Sequence, residues 1–411
     1  MRRFEEMNDF KTFTEISSRC YPGMKLNSKE DKERYQDHRE KMNQEDNIRH
    51  IALYENTDMV GGYVEYQHVL NLYQQKIPTA GIGTVAVDLP YKKQGHAKAI
   101  IQRFIEDARE EERSLVQLYP FQPAFYRKMG FGLGPALHTF RFHPSQLPPF
   151  PTVDPVSVLN ENDKEEVKKC YKSWANQTHG ACQKANYEFK FLGLEDYHAA
   201  GFKRKGQIEG YLVYQFEQQA GDHFLQNDLY VIDFITISQE AYQSLIHYLH
   251  IQKDQVRSIK MPTFNEQFSF LLQDPCHTDE ELLYRIYHKT SEQGHGLMYR
   301  IVDVPLFMKS LESHSFGDET VKIGWKISDT FMDEENYYVY QYTKGHPSLV
   351  EEKADIDIHI GIAEFSSLMM GSVTLEGLIN VGYARTVDNQ HFEKANRLFQ
   401  NPTKPQCWTF F

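Results

Sequence analysis

The chain contains no GxxxxGK and no GxGxxG, so neither a nucleotide-hydrolysing P-loop nor a dinucleotide-binding turn has its fingerprint. Apolar runs of the ~18 residues needed to span a bilayer are also missing. The opening MRRFEEMNDF sets acids where a secretory signal needs an apolar core, so a cytoplasmic protein without membrane association is expected. Only five cysteines occur (Cys20, Cys170, Cys182, Cys276 and Cys407), widely scattered and without a CxxC pair. That argues against structural zinc, dithiol chemistry and a disulfide framework, and for free thiols in a reducing compartment. Basic charge is short as well: 45 Lys and Arg face 57 Asp and Glu, and the resulting net charge of −12 arises almost wholly after residue 150. Without a basic stripe, nucleic-acid binding lacks its electrostatic footprint, whereas a cationic small substrate would be attracted.

What is present describes a globular protein rich in Tyr and Phe, with 40% hydrophobic and 25% charged residues among 411. That length exceeds what one core usually serves and suggests two or three domains. HPSQLPPFPTVDPV concentrates five prolines in residues 143–156, which opposes helix and interrupts any sheet ladder. SEQGHG at 291–296 is a softer break, followed by LMYRIVDVPLFMKSL with Pro305 near a helix start. Domains of 1–150, 151–294 and 295–411 are expected.

Within the first, IRHIALYE, GGYVEYQHVLNLY and AGIGTVAVD read as strands and GHAKAIIQRFIEDA as an amphipathic helix. SLVQLYP reads as a short strand and PAFYRKMG as a helix opened by Pro123 and closed by Gly130. The fold class is α/β, of the α+β kind, with mixed sheets. GYVEYQ (62–67) returns as GYLVYQ (210–215) with four identities in six, each followed by a strand and an amphipathic helix. The second copy, ITISQEAYQ, has no glycine before its helix, so its backbone amides cannot crowd a ligand as the first copy's can.

In TVAVDLPYKKQGHAKAI the helix opens at Gly95 behind two lysines. Free N–H groups and the positive end of the helix dipole suit a phosphate there, and Gly95 removes the side chain that would block it. Tyr126 stands downstream in FQPAFYRKMGFG. Two further clusters read as ordinary surface. Asp355, Asp357 and His359 in ADIDIHIG share one strand face, which is expected to be solvated, and no metal is expected. NSKEDKERYQDHREKMNQED is a mixed-charge helix, a solvated face with lidding of a cleft as its alternative.

Lys92-Lys93-Gln94-Gly95-His96-Ala97 followed by Phe125-Tyr126-Arg127-Lys128-Met129-Gly130-Phe131 resembles the Gcn5-related N-acetyltransferases. Their motif is Arg/Gln-x-x-Gly-x-Gly/Ala after a strand, and Lys92 departs from it. Two such halves, a third domain and a terminal Phe resemble the enhanced-intracellular-survival (Eis-like) acetyltransferases over essentially the whole length. The resemblance implies tandem acetyltransferase domains, the second degenerate, plus a sterol-carrier-protein-like domain, and a homo-hexamer. It further implies acetyl-CoA as co-substrate, held by Val85, Ala86 and Val87, by Lys93, Gln94, Gly95, His96, Ala97 and Lys98, and by Phe121 and Gln122. Tyr126 is the implied proton donor, and the α-carboxylate of Phe411 the implied acceptor. The expected activity is acetyl transfer to amines of a cationic small molecule, such as an aminoglycoside, or to lysine side chains. A non-catalytic acyl-CoA-binding sensor or scaffold is the alternative, and lipid carriage by the last domain rests on fold likeness alone. At the end of the chain, CWTFF is expected to anchor through Trp408 and Phe410, so that the Phe411 carboxylate reaches the cleft beside Tyr126.

Overall fold

The computed structural model describes residues 2–151, 155–218, 227–387, 390–401 and 403–411. Thr152, Val153 and Asp154 of the proline-rich stretch therefore lie outside the described residues. The chain forms two compact units, one of residues 1–134, 296–405 and 410–411, the other of 135–295 and 406–409. No helix among the described residues is long and apolar enough to cross a membrane.

The first unit is built on a seven-stranded mixed sheet. Its strands are β1 (Arg2–Glu6), β2 (Ile48–Glu55), β3 (Asp58–Leu72), β4 (Gln75–Val87), β5 (Leu115–Leu118) and β6 (Gly132–Leu133). Met298–Ile301, from the LMYRI stretch, inserts between β5 and β6, antiparallel to both. The β3–β4 turn, Tyr73-Gln74, has φ of 50° and 67°, a left-handed pair usually built with Asn and Gly. Tertiary contact replaces that chemistry: the Tyr73 ring stacks on His314 at 4.1 Å and its hydroxyl donates to the Met369 carbonyl at 3.0 Å.

Helices pack on both faces of this sheet, the first on one and the third on the other. α1 (Phe10–Cys20) is capped by Asp9, and α2 (Lys29–Met42) by a Ser28–Asp31 capping box. α2 buries only Arg39 and Met42, so its charges form the solvated face read from the sequence. α3 (His96–Glu110) buries Ile100, Ile101, Phe104, Ile105 and Ala108 against the sheet. At about 1.5–3 kcal/mol for each fully buried large apolar side chain, that stripe fixes the helix start against β4. α4 (Pro123–Arg127) then follows β5.

β4 and β5 run parallel, and their pairing ends at Ile82 opposite Leu118. Beyond it, β4 continues to Val87 with β3 on one side only among the described residues. Opposite Tyr63 the register slips, leaving Thr84 and Val85 as a bulge with Thr84 at φ +48°. A β-branched residue rarely adopts that backbone, and such bulges re-aim side chains beside functional sites.

The remainder of the first unit is a five-stranded sheet ordered His346–Val350, Glu334–Thr343, Val321–Asp329, Ile356–Gly361, Ala384–Thr386. Trp325 is fully buried in its core against Phe365 and Phe399. On the stretch read as a solvated face, Asp357 is exposed on the strand Ile356–Gly361 and Asp355 lies just before it. Tyr337 donates to Asp357 at 2.7 Å, and the Lys322 N–H donates to Asp355 at 2.8 Å.

The second unit also carries a seven-stranded sheet and reproduces the repeat seen in the sequence. Gln207–Gln218 and Asn227–Thr236 pair as β3 and β4 do, with a register slip at Val213/Tyr214, and the helix Gln239–His250 follows. That helix is closed at its start by the Ser238 hydroxyl, which accepts from the Ala241 N–H at 3.2 Å. The proline-rich stretch opens one 3-10 turn at Pro144–Gln146, with proline in the first position, where its missing N–H costs nothing.

Candidate active site

Where β4 parts from β5, a cleft of about 880 Å³ opens in the first unit. Val85 and Val87 form one wall, Lys92, Lys93, Gly95, His96, Ala97 and Lys98 a second, and Phe121, Gln122, Phe125 and Tyr126 a third. The fourth, Cys20 to Met24 at the end of α1, went unread in the sequence. From it the Tyr21 hydroxyl donates to the Val85 carbonyl at 2.6 Å, and Cys20 Sγ to the Val87 carbonyl at 3.1 Å. In an extended strand a residue's N–H lies on the same edge as its C=O, so Val87, beyond the bulge, also presents its amide here. Ala86, expected with them, is buried and turned toward Gly62 of β3, so it does not line the cleft.

The start of α3 is built as expected. Gly95 sits at the N-cap with φ +83° and no side-chain cap, which leaves the first helical N–H groups for a ligand. Lys93 at φ 63° completes the tight loop. His96 is 1% exposed, and burial holds its pKa below the usual histidine value, so it offers a backbone amide rather than a charge. Gln94 stays outside the lining, its side chain donating to the Pro90 carbonyl and its own carbonyl accepting from Arg2. Lys98 lies over the Phe331 ring at 5.4 Å. Gly95→Val is expected to weaken acetyl-CoA binding about tenfold by calorimetry, because a β-branched side chain at positive φ must rebuild the cradle.

Tyr126 is 3% exposed and packed edge-to-face by Phe125 at 5.2 Å, Phe121 at 5.7 Å and Phe131 at 6.1 Å. This burial pushes its phenol up to about 12, which keeps the hydroxyl protonated across physiological pH. Phe121 itself is mostly exposed at the rim.

The end of the chain is arranged differently from the expectation. Trp408 does pack, in the core of the second unit against Phe264, but Phe410 is 57% exposed and only stacks on Tyr119 at 5.5 Å. The anchor of the last residue is its own ring. It is held in the first unit among His68 (5.1 Å), Tyr119 (5.3 Å) and Tyr66 (5.7 Å), over Gly81 and Gly83 of β4. A Cβ on Gly81 would stand 2.7 Å from the Phe411 ring, and one on Gly83 2.7 Å from its carboxyl carbon. Val85, two residues further along β4, lines the cleft with Tyr126, whereas Phe411 is not among the residues that line it. Next to Val85, the buried Arg39 of α2 donates to Thr84 Oγ1 at 3.0 Å and lies over the Tyr35 ring at 4.8 Å. The alternating glycines of AGIG were the available signal for this seat.

Three stretches of the chain match known domain families. Residues 2–134 match an acetyltransferase (GNAT) domain family, 172–296 a second acetyltransferase (GNAT) family, and 305–408 a sterol carrier protein domain. No curated protein matches the sequence. Among solved structures, a GCN5-related N-acetyltransferase from Anabaena variabilis superposes with a TM-score of 0.81 at 18% identity, both chains fully covered. Eis1 from Mycobacterium abscessus superposes with 0.78 at 17%, and a conserved protein of unknown function, probable N-acyltransferase, from Enterococcus faecalis with 0.79 at 18%, again over both full chains. At these identities the likeness establishes the fold.

Proposed function

The chain belongs to the GNAT acetyltransferases, with two such domains and an Eis-like plan, and on that premise we propose that its first unit moves an acetyl group from acetyl-CoA directly onto a substrate amine. The observation that carries this is the parting of β4 from β5 beside the uncapped start of α3, with a buried, protonated Tyr126 facing the same cleft. The amide of Val87 suits the extended arm of the cofactor and the charge developing on the thioester oxygen. The N–H groups after Gly95 suit its pyrophosphate. Glycine at the N-cap and the end of β5 pairing at Ile82 leave room for both.

Attack by a neutral amine expels a thiolate, and the Tyr126 phenol donates the proton it needs. The ammonium formed must lose a proton, and the Phe411 carboxylate is the proposed acceptor. An α-carboxyl of pKa ~3.5 is ~6.5 units below an alkyl ammonium, about 9 kcal/mol at 1.36 kcal/mol per unit. The carboxylate therefore acts by orienting the amine and relaying its proton toward water rather than by holding it.

The acceptor is proposed to be cationic, an aminoglycoside-like amine or a lysine side chain, in keeping with a net charge of −12. Incubation with acetyl-CoA and a panel of polyamines, aminoglycosides and lysine peptides, read as thiol release, tests this. Binding of acetyl-CoA with no thiol released across the panel would instead favour the sensor or scaffold. The hexamer belongs to the same reading. Light scattering is expected to give six times the 48.2 kDa subunit mass, and a monomer mass counts against it.

A further inference from the structure

Arg300 is fully buried, though it stands on the strand Met298–Ile301 within the first unit's sheet. Its Nη1 donates to the Met129 carbonyl at 2.6 Å, just past the end of α4, and its Nη2 is ion-paired with Asp329. Asp329 is itself fixed, its other oxygen accepting from the N–H groups of Phe331 at 3.1 Å and Met332 at 3.2 Å. Gly130 makes this approach possible, since it sits at φ +79° and any Cβ there would overlap the guanidinium. Its glycine thus answers to Arg300 as well as to the helix stop.

Other contacts reach the same helices from the sterol carrier protein domain. Arg127, next to Tyr126, pairs with Glu364 at 2.9 Å and lies over the Tyr383 ring at 4.3 Å. The Ser367 hydroxyl donates to the Leu133 carbonyl of β6 at 2.9 Å, beyond the Gly130 turn. At the far end of α3, Arg109 makes a two-pronged pair with Glu334 at 2.7 and 2.9 Å. Phe331 lies beneath both Lys98 (5.4 Å) and Arg300 (5.7 Å). α4 has five residues, too few to hold its own geometry in isolation. Its orientation must come from what it packs against.

We infer that the sterol carrier protein domain serves catalysis by clamping α4, with Asp329 acting through Arg300, and Glu364 through Arg127, as positioning residues for the Tyr126 hydroxyl. The inference rests on the reading of Tyr126 as proton donor, but the clamp itself is measurable without it. Neither residue touches the reacting atoms. Their effect is the placement of the phenol, for which a displacement of about 1 Å can cost up to about a hundredfold in rate.

The test uses the full-length enzyme with Asp329→Asn and Glu364→Gln, each alone and combined with Tyr126→Phe. Amide hydrogen exchange over residues 123–131 is expected to quicken in both single variants, with exchange along β2 and β3 unchanged. kcat is expected to fall about tenfold in each, with the KM for acetyl-CoA within about twofold. On the Tyr126→Phe background the same substitutions should cost less than about twofold, since the group they place is gone. Unaltered exchange at 123–131 overturns the clamp, and an undiminished loss on the Tyr126→Phe background overturns its action through the phenol. If Asp329→Asn does not fold, as a bared buried guanidinium would favour, Glu364→Gln decides both points. Wild-type turnover by Tyr126→Phe alone would refute the proton-donor reading, and the exchange result would still judge the clamp.

Discussion

Tyr126→Phe is expected to lower kcat by about 10²–10⁴-fold while leaving acetyl-CoA affinity nearly unchanged. The phenol is enclosed by Phe121, Phe125 and Phe131, so the ring position survives the loss of the hydroxyl. On the reading of Tyr126 as proton donor, what disappears is the proton for the departing sulfur, an interaction made in the transition state and absent from the ground state, so kcat is expected to fall and binding is not. The pH profile separates donor from bystander. Burial pushes this phenol up to about 12, so it remains an acid well above the ordinary tyrosine range near ~10. The substrate amine gains its nucleophilic form as pH rises. Activity is therefore expected to climb with pH toward the amine pKa, with no falling limb from Tyr126 below about pH 11. Stopped-flow thiol release from pH 6 to 10.5 measures this, and a fall near pH 9 that vanishes in Tyr126→Phe would contradict the assigned environment. The same raised pKa bears on stability. The folded state holds this proton more tightly than the unfolded chain, so the stability it confers is full below about pH 10 and is lost as pH rises toward 12.

Much of this site was legible because its chemistry is local. The helix start at α3 uses Gly95 at positive φ, the short α4 opens on Pro123 and stops before Gly130, and both features are written into adjacent residues. The β2 strand was read to its boundaries, Ile48–Glu55, from its run of β-branched and aromatic residues between polar breaks. What could not be read depends on contacts between residues far apart in the chain. The Tyr73-Gln74 turn carries no glycine because His314 and Met369 hold it, and no local rule foretells that. The LMYRI stretch looked like the start of a separate domain, yet its backbone completes the sheet of the first unit. Tyr21 and Cys20 reach the cleft through hydrogen bonds to Val85 and Val87, more than sixty residues away in sequence. Ala86 was expected beside Val85 and Val87, but it pairs with Gly62 of β3 and is not among the residues lining the cleft.

Extending the chain by three residues after Phe411 is expected to reduce kcat by about 10²-fold or more, with the KM for acetyl-CoA nearly unchanged. The extension keeps every side chain and moves only the negative charge, whereas the ring of Phe411 can stay among Tyr66, His68 and Tyr119. Gly83→Ala attacks the same arrangement from the other side. Its Cβ would stand 2.7 Å from the carboxyl carbon, closer than two unbonded carbons tolerate, and the terminus is the part free to give way. A comparable loss of kcat is expected there, with a melting temperature within a few degrees of wild type, because Gly83 lies in a strand whose dihedrals an alanine accepts. Combining the two changes should cost little more than either alone, since both displace one carboxylate. Additive losses would mean that Gly83 acts on something else, such as the neighbouring bulge at Thr84 with its φ of +48°. Full activity in the extended chain would reduce Phe411 to a packing residue and leave the departing ammonium proton to solvent.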